Sequence, residues 1–176
     1  MKRVKVLAAL AGLQLVAILG YRLMDSQQSQ SANPLVLERL DGATAPDLSL
    51  VRNDGSAVRL SDRRARPLLL HFWATWCPPC KTELPGLLEI SRKGEFDVVA
   101  VSLDQDWSEV RKFFGAAVPP EVVLDGARAA TSLYGLDQLP DTFLLDSEGR
   151  LRARFAGARD WRASTVEPTL RGVVSP

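Results

Sequence analysis

Cysteine is almost missing from this chain. The 176 residues hold two, Cys77 and Cys80, and a single histidine, His71. No framework of structural disulfides can be built from one pair, and few ligands remain for a metal centre. Charge of one sign is missing too: 22 Lys and Arg stand against 21 Asp and Glu, for a net charge of +1. Nothing here points to nucleic acid, which leaves an excess of basic residues as its footprint. No internal repeat is visible, and the length suits one domain plus an appendage.

The appendage is at the start. Lys2, Arg3 and Lys5 precede an apolar run over residues 6–20 that is interrupted by one polar side chain, Gln14. Residues 4–23 give about the 20 positions that a spanning helix needs. The basic head favours a cytoplasmic N-terminus and an exported remainder. No small-x-small pattern closes the run, so residues 1–24 are expected to form an uncleaved anchor, with a cleaved export signal as the alternative. No cysteine stands there for a lipid. Residues 25–40 begin with a Ser- and Gln-rich stretch without apolar periodicity, which reads as a flexible tether. The folded domain is expected over residues 41–176.

Both cysteines fall in one stretch, Leu68-Leu69-Leu70-His71-Phe72-Trp73-Ala74-Thr75-Trp76-Cys77-Pro78-Pro79-Cys80-Lys81-Thr82-Glu83. It reads as a buried strand, a tight turn and a helix start. The first turn of a helix has free N–H groups and the positive end of the dipole. A thiolate placed there is stabilised, so a dithiol with this spacing is a redox site. Cys77, at the helix edge, is expected to attack; Cys80, one turn in, is expected to resolve the mixed disulfide. Pro79 suits an early helical position because its missing N–H is not needed there. Trp76 is expected to shield the pair and shape a docking face, and Trp73 to pack.

The remaining pattern alternates strands and helices. Residues 48–51 and 57–60 flank the turn Asn53-Asp54-Gly55-Ser56 and read as a hairpin. Residues 67–73 are almost continuously apolar, with His71 the odd residue, as in a strand covered on both faces. A helix is expected over residues 78–92 with Pro85 inside it, then a strand over 96–104. Ser108 is expected to cap a helix whose apolar face holds Val110, Phe113 and Phe114. A short strand over 121–124 and a short helix over 127–134 follow. A strand is expected after Pro140, Ser147-Glu148-Gly149 reads as a turn, and 151–155 reads as a strand with Arg150, Arg152 and Arg154 on a solvated face. A final helix is expected over 160–170, with Pro168 weakening its end.

Phe72-Trp73-Ala74-Thr75-Trp76-Cys77-Pro78-Pro79-Cys80, with Glu83-Leu84-Pro85 and the later Leu139-Pro140-Asp141-Thr142-Phe143, resembles the thioredoxin superfamily, and within it the membrane-anchored TlpA/ResA-like branch. The resemblance spans residues 45–161. It implies a thioredoxin-like α/β fold: a central mixed sheet flanked by helices, with an N-terminal β-hairpin and an inserted segment. It also implies a cis Leu139–Pro140 peptide beside the dithiol. The chain before that proline would be free to pair with an extended partner peptide, and the proline would crowd metals away from the sulfurs. His71 stands where thioredoxin has a buried acid and the branch often has Asn; it is either a proton relay for Cys80 or a neutral core histidine. Glu83 stands where the branch has a glutamate near the dithiol, or it is a plain first-turn glutamate.

The resemblance implies an enzyme that exchanges thiols and disulfides in exported proteins, needing no cofactor or metal beyond its own redox pair. Reduction of specific extracytoplasmic disulfides is expected, such as those of apocytochrome c, with electrons from a membrane donor. A disulfide-forming oxidant is the first alternative. A copper or zinc chaperone using Cys77, Cys80 and His71, and a non-catalytic binding module, are two others.

Overall fold

The computed structural model describes residues 37–175 apart from Arg64 and Ala116. The expected membrane segment, and the tether as far as residue 36, lie outside the described residues. Among the described residues no helix is long and apolar enough to cross a membrane.

The strands are β1 (Glu38–Arg39), β2 (Ser49–Val51), β3 (Ala57–Arg59), β4 (Leu68–Trp73), β5 (Asp97–Ser102), β6 (Val122–Leu124), β7 (Asp141–Leu145) and β8 (Leu151–Ala156). They form one mixed sheet in the order β1-β8-β7-β4-β5-β6-β2-β3. β4 lies parallel to β5 and antiparallel to β7. All six of its residues are buried, His71 included, as its nearly continuous apolar run requires. The helices are α1 (Pro78–Lys93), α2 (Trp107–Phe114), α3 (Ala130–Tyr134) and α4 (Val166–Val174).

The pleat of β4 divides the core in two. Leu68, Leu70 and Phe72 face the hairpin and α3, packing with Leu50, Val58, Ala130 and Tyr134. Leu69 faces α1 and α4, packing with Leu87, Ile90, Val166 and Leu170. Trp73 packs with Cys77, Cys80, Leu84 and Val110. His71 sits between Leu69 and Trp73 in the alternation, and so on the α1 side of the sheet.

Several boundaries differ from expectation for local reasons. Glu38–Arg39, placed in the tether by composition, pair with β8. The strand expected over 96–104 ends at Ser102, because Asp104 turns its carboxylate back into the protein. Asp106, not Ser108, caps α2: its side chain accepts the Ser108 N–H at 2.7 Å. The helix expected over 127–134 begins at Ala130. Arg128 before it has a left-handed backbone (φ 53°), and Asp125 takes the N–H groups of Ala129 and Ala130. The last helix is Val166–Val174 rather than 160–170. Pro168 lies in its first turn, where no intrahelical N–H bond is needed, so it marks the start and not the end.

Candidate active site

α1 begins at the dithiol. Cys77 is its N-cap residue, with extended backbone (φ −96°, ψ 102°), and Pro78 and Pro79 fill the first positions. The Cys80 N–H donates to Cys77 Sγ at 3.3 Å. The two sulfurs are joined in a disulfide, with Cα atoms 5.3 Å apart. Cys77 is 5% exposed and Cys80 is fully buried. This difference matters because Cys77 alone of the pair lines a groove of about 580 Å³, together with Trp76, Pro79, Leu136, Gln138 and Leu139. Trp76 is 66% exposed at the rim, whereas Trp73 is buried against Phe113 and Phe114. The Leu139–Pro140 peptide is cis. It ends the groove wall and leads into β7.

Behind the dithiol lies a buried polar group. His71 Nδ1 is 2.9 Å from Thr142 Oγ1, its antiparallel partner on β7. The same nitrogen is 3.6 Å from Glu83 Oε1. Glu83 shares a face of α1 with Cys80, three residues on. Its Oε2 accepts the Arg159 backbone N–H at 2.7 Å, while Oε1 and His71 Nε2 have no partner. Burial pushes the Glu83 carboxyl up to about 7, against the opposing pull of the Arg159 N–H, the nearby Trp161 indole and the Arg159 charge. The Trp161 indole forms no hydrogen bond. Burial pushes His71 down to about 3. At neutral pH the imidazole is therefore uncharged, and its contact with Glu83 is not an ion pair.

On sequence alone Asp104 is expected at the end of a strand, with no role in the site. It is 5% exposed, and it holds the turn before Cys77. Its carboxylate accepts the Thr75 N–H at 3.0 Å, the Thr75 hydroxyl at 2.7 Å and the Ser102 hydroxyl at 2.7 Å. The Cys77 N–H closes the turn on the Ala74 carbonyl at 3.1 Å. Parallel pairing of Trp73 with Ser102 sets residues 103–104 beside residues 74–75, and no local sequence signal carries that register. Asp104→Ala strands these donors and should cost about 2–4 kcal/mol. Asp104→Asn can still accept from Thr75 N–H and should cost clearly less. Denaturant unfolding of the oxidised protein measures both; equal losses would contradict the clamp.

The arginine row also needs correction. Arg154 is not on a solvated face. It pairs with Phe143 across the sheet, lies 5.4 Å from that ring, and forks onto the buried Asp141. Among the described residues no group of three or more His, Cys, Asp or Glu side chains is arranged to hold a metal ion.

A dithiol at a helix start, a cis-proline loop and this sheet order together define a thioredoxin-fold thiol–disulfide oxidoreductase, acting on proteins. The chain belongs to the Redoxin family, whose family model matches residues 40–171. It is 34% identical to the thiol-disulfide oxidoreductase ResA of Geobacillus thermodenitrificans over 151 residues, covering 82% of this chain and 83% of that one. ResA of Bacillus subtilis is 33% identical over 117 residues, covering 63% and 64%. Among solved structures, a DsbE-like thiol:disulfide interchange protein of Chlorobium tepidum superposes with a TM-score of 0.67 at 32% identity, covering 80% of this chain and all of that one. The ResA-like resemblance and the thioredoxin-like fold therefore hold.

Proposed function

We propose that this protein is an exported reductase of protein disulfides, with Cys77 as nucleophile and Cys80 as resolving thiol. The observation that carries the reading is the Cys77–Cys80 pair at the start of α1, with only Cys77 opening on the groove that ends at cis Leu139–Pro140. In the reduced protein the Cys77 thiolate attacks one sulfur of a client disulfide. A Cys77–client disulfide forms and one client thiolate leaves. Cys80 then loses its proton and attacks Cys77 Sγ, forming the internal disulfide and releasing the second client thiolate. Two electrons pass to the client, and two protons follow from the dithiol.

Glu83 supports the second step. A carboxyl that titrates near 7, on the helix face of Cys80, can take the proton that Cys80 must shed. His71 is a neutral partner held by Thr142, and it keeps the Glu83 pocket polar. Trp76 and Pro79 form the rim that a client meets. The backbone before Pro140 offers groups to an extended client segment.

The domain works outside the cytoplasm, held at the membrane by residues 1–24 and reaching clients through the tether. The apolar run and its basic head support that placement. A membrane thiol–disulfide relay returns the two electrons that each turnover removes. Haem-site cysteines of apocytochrome c are the client class favoured by the ResA-like resemblance. The direction of electron flow is tested by the reduction potential of the Cys77–Cys80 couple. A value of about −250 mV or below is expected, and one of about −120 mV would make the protein an oxidant.

A further inference from the structure

The groove opposite Cys77 is walled by residues 136–139, a stretch with no strand or helix of its own among the described residues. Such a wall would ordinarily be free to move. One side chain crosses beneath it. Arg154 reaches from β8 past β7, and its Nε and Nη2 donate to Asp141 Oδ2 at 3.0 and 2.6 Å. The same Nη2 reaches Asp137 Oδ1 at 3.2 Å and the Gly135 carbonyl at 3.4 Å. Gly135 precedes the wall, Asp137 lies in it, and Asp141 follows Pro140 directly. The fork therefore grips the wall before, within and after the segment that faces Cys77.

The pair at its centre is not a surface decoration. The Asp141 side chain is fully buried and that of Arg154 is 21% exposed. Burial raises the Asp141 carboxyl, and the Arg154 hydrogen bond and charge oppose the rise. A planar guanidinium suits this task because it presents several donors in fixed directions. Lysine would keep the charge and lose the fork.

We propose that Arg154 is a positioning residue that pre-forms the client-binding wall of the groove, with Asp141, Asp137 and the Gly135 carbonyl as its three anchors. This rests on the reading of the groove as the seat of a client polypeptide. A wall ordered before binding spares the complex the entropy of ordering it. Loss of the brace weakens client binding in the ground state and the transition state alike, which raises KM and leaves kcat. Arg154 touches neither sulfur in the structure, so the reduction potential of the pair should not move.

The test is steady-state reduction of insulin, a polypeptide disulfide probe, by the full chain, with the potential measured in parallel. Asp137→Ala removes one exposed anchor, and Arg154→Lys removes the fork. Arg154→Leu combined with Asp141→Asn removes the brace without stranding a buried carboxylate. The double variant should raise KM about tenfold with kcat within about twofold, the two single variants should fall between it and the parent, and the potential should be unchanged. An unchanged KM in the folded double variant overturns the proposal. So does a KM rise accompanied by a shifted potential, because the effect would then run through the dithiol. Gln138→Trp, which fills the groove from an exposed position, separates the two levels. If it raises KM and the brace variants do not, the brace alone fails; if it leaves KM unchanged, the groove reading fails and the proposal with it.

Discussion

Cys77→Ser should abolish turnover of a protein disulfide, by at least about a thousandfold, while Cys80→Ser should abolish turnover yet keep the first chemical step. The asymmetry follows from exposure and place. Cys77 is the N-cap residue and reaches the groove; Cys80 is sealed between α1 and β4. Serine has no thiolate at neutral pH, so nothing attacks in the first variant. In the second, attack proceeds and the adduct then has no internal thiol to release it. Stoichiometric thiol release from an oxidised peptide under single-turnover conditions separates the two. If Cys77→Ser retained that first burst and Cys80→Ser lost it, the roles would be reversed.

Glu83→Gln should change how stability depends on pH above about 4.5. The Glu83 carboxyl is raised from 4.5 to about 7 in the folded protein. Between these values the folded chain holds a proton that the unfolded chain releases, so its contribution is favourable at low pH and is lost as pH rises through about 7. His71 runs the other way. Lowered from 6.5 to about 3, it contributes stability above 6.5 that is lost as pH falls toward 3. The parent protein should gain stability from pH 3 to 4.5, stay level to 6.5, decline slightly to about 7 and hold level beyond. Glutamine removes the carboxyl titration. The variant should keep gaining to pH 6.5 and then hold level, ending about 3 kcal/mol above the parent at pH 8. Denaturant unfolding at pH 4.5, 6 and 8 reads this directly; coincident profiles would show that Glu83 does not titrate in the pocket.

The parts of the site that lie close together in sequence could be read before the fold was known. The strand into Cys77, the helix out of Cys80 and the hairpin over 48–60 rest on runs, spacing and turn chemistry within a few residues of one another. Cis Leu139–Pro140 came from the family resemblance, and the structure has it. Contacts that depend on how distant segments meet could not be read in the same way. Asp104 lies 29 residues from Thr75, and Arg159 lies 76 from Glu83. His71 was visible as an oddity, but its pairing with Thr142 needed the β4–β7 register. Arg154 was misread because period-two alternation assigns a side to each residue without saying what covers that side. Here the far side holds Phe143, Gly135 and two carboxylates, and the arginine points among them. Pro168 was misread because proline both opens and closes helices, and only the position of the first turn decides which.

One measurement bears most directly on the central claim that Cys77 exchanges electrons with clients through a transient covalent bond. The full chain carrying Cys80→Ser is expressed in cells, free thiols are blocked, and its adducts are resolved without and with reductant. Discrete client proteins should appear linked to Cys77 and be released by reductant, and none should appear when Cys77→Ser is added. Complete absence of reductant-sensitive adducts on Cys77, in a folded protein, would contradict the account.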